Sequence, residues 1–182
     1  MCARQPRRHW NALKPVATRV VVVGADGDIG AEGLDTTYEY EDGGRIVTVT
    51  YPNGAQRRSE NYLDGRIKSV TGSAVTASFH EYGVTENGEQ WTLIRQGDSN
   101  SPLWVKTVKN PWDQTTEQET PSGTTRFHYN ALGQLVRQES PGVVDTLFDY
   151  DELGQQTLAG LDLNENGILD LDTDRVSETD AR

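Results

Sequence analysis

The segment Phe127–Leu161, FHYNALGQLVRQESPGVVDTLFDYDELGQQTLAGL, carries one short pattern twice. Phe127-His128-Tyr129-Asn130-Ala131-Leu132-Gly133-Gln134 returns as Phe148-Asp149-Tyr150-Asp151-Glu152-Leu153-Gly154-Gln155, and Phe, Tyr, Leu, Gly and Gln all keep an offset of 21. A fixed period of this size marks units that cannot bury an apolar face alone and must stack or pair with neighbours. Fainter copies lie upstream. Gly44-Arg45-Ile46 returns as Gly65-Arg66-Ile67, again 21 residues on, and Asn110, Gln114, Gln118 and Pro121 return 20 residues on as Asn130, Gln134, Gln138 and Pro141. Between about Gly72 and Lys109 the register is lost.

Each unit reads as an aromatic residue, one variable residue, Tyr, Asp or Asn, two variable residues, Gly, then Gln or Arg, followed by an apolar or β-branched run. Tyr, Val, Ile and Thr at alternate positions suit a pleated, half-buried strand. Asn or Asp close to Gly is hairpin chemistry, because these residues tolerate positive φ. Pro52-Asn53-Gly54 and Pro121-Ser122-Gly123 mark the opposite turns. One unit is therefore a two-stranded hairpin, and successive units predict an all-β, antiparallel, curved sheet. The expected strands of the early region are 36–41, 45–51, 55–62 and 66–71.

With these residues in view, the sequence resembles the YD-repeat, or RHS-repeat, proteins, whose unit is built around Tyr-Asp-x-x-Gly-Arg. Tyr150-Asp151-Glu152-Leu153-Gly154-Gln155 and Tyr129-Asn130-Ala131-Leu132-Gly133-Gln134 match best, with Gln in place of the usual Arg, while Gly44-Arg45 and Gly65-Arg66 keep the Arg. The resemblance covers roughly residues 35–160. It implies a segment of the hollow β-shell that long, secreted or cell-surface RHS chains wind around a C-terminal toxin. It also implies further repeats or an enclosed toxin domain as partners, with cell-surface carbohydrate as an alternative ligand. The expected organisation is a basic N-terminal segment and lead-in strand over 1–30, the repeat region over 31–161, and an acidic loop and tail over 162–182.

Composition limits the remaining possibilities. The 182 residues carry a net charge of −11 and only 34% hydrophobic residues, with a mean hydropathy of −0.68. That is lean for a closed globule and normal for a sheet with one wet face. Residues 1–25 hold five Lys or Arg and no acid, so everything after them is strongly acidic. Such a body repels phosphate backbones, and nucleic acid is not an expected partner. Cys2 is the single cysteine, which excludes an intrachain disulfide. No apolar run is long enough for a membrane span, and Val20–Val23 is too short for the core of a signal peptide.

Other motifs point elsewhere and are weaker. Val20–Gly30, with Gly24, Gly27 and Gly30, looks like the dinucleotide fingerprint of the extended short-chain dehydrogenases and raises a nucleotide-binding oxidoreductase as an alternative. That chemistry needs a helix to follow, whose N-terminal amides face the pyrophosphate. Residues 31–38, AEGLDTTY, have no helical period, and no Tyr has Lys four residues on. His80 and His128 occupy the same slot of the repeat as Asp149, which reads as a solvated face. Trp91 and Trp104 read as cross-strand packing rather than sugar platforms. With no nucleophile elbow, zinc-helix motif or phosphate loop present, no catalytic residues are expected.

One stretch is chemically richer. Asp162-Leu163-Asn164-Glu165-Asn166-Gly167-Ile168-Leu169-Asp170-Leu171-Asp172-Thr173-Asp174 places oxygen ligands at alternate positions before a turn glycine, as a Ca²⁺ loop requires. The candidate ligands are Asp162, Asn164, Asn166, the Ile168 carbonyl, Asp170 and Asp172. Thr173 stands where a bidentate acid is usual, and Asp172 or Asp174 could replace it only in a loop that differs from the EF-hand. The expected function is a non-catalytic structural repeat segment, with a carbohydrate-binding or adhesive module bearing a Ca²⁺-stabilised end as the alternative.

Overall fold

A computed structural model describes residues 36–178. The basic N-terminal segment, the lead-in strand and the Gly24–Gly30 motif lie outside the described residues. Among the described residues thirteen strands follow one another in sequence order, and every described pairing is antiparallel. The one helical element among the described residues is a 3-10 turn, Asp42–Gly44. No helix of the described residues is long and apolar enough to cross a membrane.

The chain divides into two units inside the expected repeat region: the first runs to His80 and takes in Gln96–Ser99 again, and the second holds Glu81–Arg95 and the described residues from Asn100 on. The first unit holds β1 (Thr37–Glu41), β2 (Ile46–Thr50), β3 (Gln56–Asn61), β4 (Ile67–Thr71) and the opening residues of β5 (Ser78–Val84). These strands match the sequence expectation to within a residue at each end. Alternation explains them: Val47 and Val49 point one way and Thr48 and Thr50 the other, and Val49 is buried. Register runs from Glu41 opposite Ile46 to Thr37 opposite Thr50, then from Ile46 opposite Glu60 to Thr50 opposite Gln56.

The second unit takes the rest of β5, most of β6 (Gln90–Gln96), and then β7 (Trp104–Lys109), β8 (Thr115–Thr120), β9 (Gly123–Tyr129), β10 (Leu135–Glu139), β11 (Thr146–Tyr150), β12 (Gln156–Leu161) and β13 (Arg175–Glu178). Its buried apolar residues are Leu93, Val108 and Leu147. Among the described residues no large side chain is fully enclosed. At about 1.5–3 kcal/mol for each fully buried aliphatic side chain, so few of them leave much of the stability to ladder hydrogen bonds and half-buried pairs. The ladder is broken in the same place in each repeat hairpin. Pairing slips at Val108/Lys109, at Leu135/Arg137 and at Asp149/Tyr150, always beside the repeat turn. Such bulges bend a strand and raise its twist.

Candidate functional site

Two features of the second unit gather the residues that the sequence singles out: a row of repeat turns and the acidic loop. In the turns, Asn110, Asn130 and Asp151 do the same work. Each side-chain Oδ1 accepts two backbone N–H groups, from Trp112 and Gln114, from Leu132 and Gln134, and from Leu153 and Gln155, at 2.8–3.0 Å. Where the residue is Asn, its Nδ2 also donates to the Gln Oε1 four residues on, at 2.9 Å for Asn110 and 2.7 Å for Asn130. This explains why Asn and Asp interchange here: both bring the acceptor, and the donor is an addition.

The glutamine that follows the turn ties one repeat to the next. Gln114 Nε2 donates to the Gly133 carbonyl at 2.8 Å, and Gln134 Nε2 donates to the Gly154 carbonyl at 3.3 Å. Gly133 and Gly154 hold φ of +82° and +81°, and a Cβ there would lie 3.1 and 3.2 Å from those same Nε2 atoms. The repeat tyrosines act on the backbone as well. The Tyr129 hydroxyl donates to the Thr115 carbonyl and the Tyr150 hydroxyl to the Leu135 carbonyl, both at 2.8 Å, and burial pushes the Tyr129 phenol above its usual range. The Tyr, Asn or Asp, Gly and Gln of the pattern thus each take part in a structural bond.

Asp113 departs from it. It stands in the glycine slot with φ +64°, and its carboxylate takes a bond from Lys109 Nζ at 2.8 Å across an exposed surface. Left-handed backbone costs an L-residue about 1–2 kcal/mol, less for Asp, whereas an exposed ion pair is worth little. Asp113→Gly is therefore expected to stabilise the unit by about 0.5 kcal/mol after the added freedom of the unfolded chain is set against it. The urea midpoint checks this. A lower midpoint would mean that the Lys109 bond outweighs the backbone strain.

The histidine slot is not uniform. His128 is exposed, as the sequence suggests, and its Nε2 lies 2.8 Å from Glu139 Oε1. It belongs to a cross-strand band in which Arg126 faces Glu117 and Glu139, and Arg137 faces Glu139 and Asp145. His80 is half-buried, with Ser78 Oγ 3.1 Å from Nε2 and the Tyr62 hydroxyl donating to its carbonyl at 3.0 Å. Burial pushes its imidazole below the usual range. Trp91 packs on its neighbouring strand: a Cβ on Gly83 would sit 2.4 Å from its ring. Lys106 Nζ lies 5.9 Å from the Trp91 ring centre.

The acidic loop joins β12 to β13 and is anchored by the Asp162 N–H on the Asp145 carbonyl at 3.0 Å. Asp162 is only 3% exposed, and its two oxygens accept the N–H groups of Asn166 at 3.0 Å and Gly167 at 2.8 Å. Asn164 Oδ1 accepts Asn166 N–H and Asn166 Oδ1 accepts Ile168 N–H. Both Asn side chains give an Nδ2 donor to Asp170 Oδ2, at 3.2 Å from Asn164 and 2.7 Å from Asn166. Asp162, Asn164, Asn166 and Asp170 are thus brought into one hydrogen-bonded loop. Asp172 is not; it is exposed and makes no bond to them. Asp174 takes the closing position instead, its Oδ1 accepting Leu163 N–H and its Oδ2 accepting Asp170 N–H, both at 2.9 Å.

As a cation site this arrangement fits in part. The oxygens converge, but Asp162 and Asp174 are satisfied by backbone donors, and Asp170 is held by amide N–H₂ groups where a cation would sit. Among the described residues no three His, Cys, Asp or Glu side chains stand as a metal-ligating group. A Ca²⁺ ion here would have to turn both asparagine amides around. No protein-family model matches the chain, and no curated protein matches it significantly. The class that the fold itself defines is an antiparallel β-meander of hairpins with repeated, side-chain-locked turns.

Proposed function

We propose that the chain is a non-catalytic structural repeat segment of an RHS-type surface or secreted protein, a length of β-wall that works together with further repeats or an enclosed toxin domain. One observation carries this reading: the recurring Asn or Asp, Gln and Tyr are spent on holding hairpins in register. Asn130 and Asp151 lock turns, Gln114 and Gln134 couple them, and Tyr129 and Tyr150 tie hairpins to the strand before. The test is the native size of the gene product, blotted from source cells and medium with an antibody to residues 110–160. A band far above 20.2 kDa is the expected result. A single band at 20.2 kDa would sink the wall-segment reading.

The convergence of Asp162, Asn164, Asn166 and Asp170 supports a second element, a Ca²⁺-strengthened end to the sheet. At the weak affinity expected of such a loop, a Kd of about 0.1–1 mM, millimolar Ca²⁺ stabilises by about 0.4–1.4 kcal/mol. It is therefore expected to raise the melting temperature over that in EDTA by a few degrees. Equal melting in both solutions would remove the ion from the proposal.

A further inference from the structure

Turn tips ordinarily carry Gly, Asn, Asp, Ser or Pro, yet the repeat turns present large apolar side chains. Trp112, Leu132 and Leu153 are 79%, 83% and 83% exposed. Each stands two residues after the locking Asn or Asp, and each donates its N–H to that side chain, so the turn holds all three in equivalent positions. Scattered exposed leucines need no explanation, whereas a contiguous apolar row marks an interaction surface. The glutamine bonds between turns keep the row in register. A cleft of about 500 Å³ between the first two turns is lined by Trp112, Gln114, Tyr129 and Leu132.

Spacing and charge narrow the occupant. Neighbouring repeat turns are two strands apart, about 9.6 Å. An α-helix laid along the row brings residues seven apart to the same face every 10.5 Å or so. An extended strand repeats one face about every 6.7 Å, so it meets alternate turns near 20 Å but places no side chain at the turn between them, which a helix does. Among the described residues, the turns at this end of the unit carry Glu86, Glu89, Asp113, Asp151 and Glu152 against the single cation Lys109, which Asp113 already engages. A second copy of the chain would set these carboxylates against their own kind. A basic surface would meet them favourably.

We propose that Trp112, Leu132 and Leu153 form a docking ridge for a basic amphipathic helix of a partner protein, with apolar residues at every seventh position flanked by Lys or Arg. The ridge does not depend on the shell reading, since it rests on the turns alone. The probe is a synthetic helical peptide with leucine at every seventh position in a Lys/Ala host, titrated into the full chain and followed by NMR of the leucine methyls and tryptophan indoles. Saturable binding is expected, weakening with salt, with shifts confined to Leu132, Leu153 and Trp112. Leu132→Asp and Leu153→Asp should each weaken it roughly tenfold, and their unchanged circular dichroism separates lost docking from lost fold. The proposal is overturned by equal binding of a peptide with the same composition but scrambled leucines, or by no binding at millimolar peptide. It is overturned too if the wild-type chain sediments as a dimer that Leu132→Asp dissociates, which would make the occupant a second copy. Cross-linking from position 132 to the chain's own residues 4–19 would overturn it as well.

Discussion

Replacing Asp162 with alanine is expected to destabilise the second unit by about 3 kcal/mol. The carboxylate is almost wholly buried and accepts Asn166 N–H and Gly167 N–H. A hydrogen bond to a charged group contributes about 1.5–3 kcal/mol, and removing the acceptor leaves two donors without a partner. The loop they belong to also places β13, whose Val176 lies opposite Gly160 of β12. A Cβ on Gly160 would sit 2.8 Å from the Arg175 carbonyl oxygen, so that strand has little slack to take up a shift. Asp162→Asn keeps one acceptor and should cost roughly half as much. Urea unfolding gives the size of both effects, and hydrogen exchange at Asn166 and Gly167 locates them. The measurement is made in EDTA and again in Ca²⁺. A full loss in EDTA assigns the role of Asp162 to its backbone bonds, whereas a loss seen only with Ca²⁺ assigns it to the ion. A midpoint within about 0.5 kcal/mol of wild type in both would mean that the loop does not need this carboxylate.

How much of this was legible in the residues depends on how local the cause is. Strand alternation and turn chemistry act over a few residues, so β1 to β4 and the turns after Tyr129 and Tyr150 could be read directly. Asn130 and Asp151 were read for their tolerance of positive φ, whereas positive φ falls on Gly133 and Gly154 and the two side chains serve as acceptors for turn N–H groups. What the turn does for its neighbour was hidden, because Gln134 meets the Gly154 carbonyl and Tyr150 meets the Leu135 carbonyl only once the hairpins are in register. Asp174 was overshadowed by Asp172 because Ca²⁺-loop spacing counts along the chain. The bend through Asp170 and Thr173, where Thr173 and Asp174 N–H both reach the Asp170 carbonyl, turns Asp174 back toward Leu163 and leaves Asp172 outside. His80 differs from His128 through its surroundings: the slot is the same, but His80 has Ser78 and Tyr62 against it. The apolar ridge was legible as letters, a Leu or Trp in each turn, but exposure is a property of the folded sheet.

The loss of repeat register near Gly72 has a physical counterpart in the first unit, and Gly72→Ala is expected to cost about 3–4 kcal/mol there. Gly72 follows β4 with φ +123°, a conformation that L-residues rarely adopt. A Cβ would lie 2.2 Å from the Gln56 carbonyl oxygen, 2.8 Å from its carbon and 3.2 Å from Arg57 Cα. All three are backbone atoms, so no side chain can swing aside. The chain must instead move away from the start of β3. That breaks the Ala74 N–H bond to the Gln56 carbonyl at 2.9 Å and the Gln56 N–H bond to Ser73 Oγ at 3.0 Å. Each is worth about 1 kcal/mol net, and the left-handed strain adds about 1–2 kcal/mol. Gly54→Ala is the matched control: its φ is +78°, but a Cβ there meets nothing within 4 Å. It should cost only the conformational part, about 1 kcal/mol. Urea unfolding of the two variants side by side separates strain from collision. If Gly72→Ala is no worse than Gly54→Ala, the close approach of Gly72 to β3 is not what the first unit depends on. If it is worse by several-fold, the irregular stretch after β4 is a built turn, held by a contact that only glycine permits.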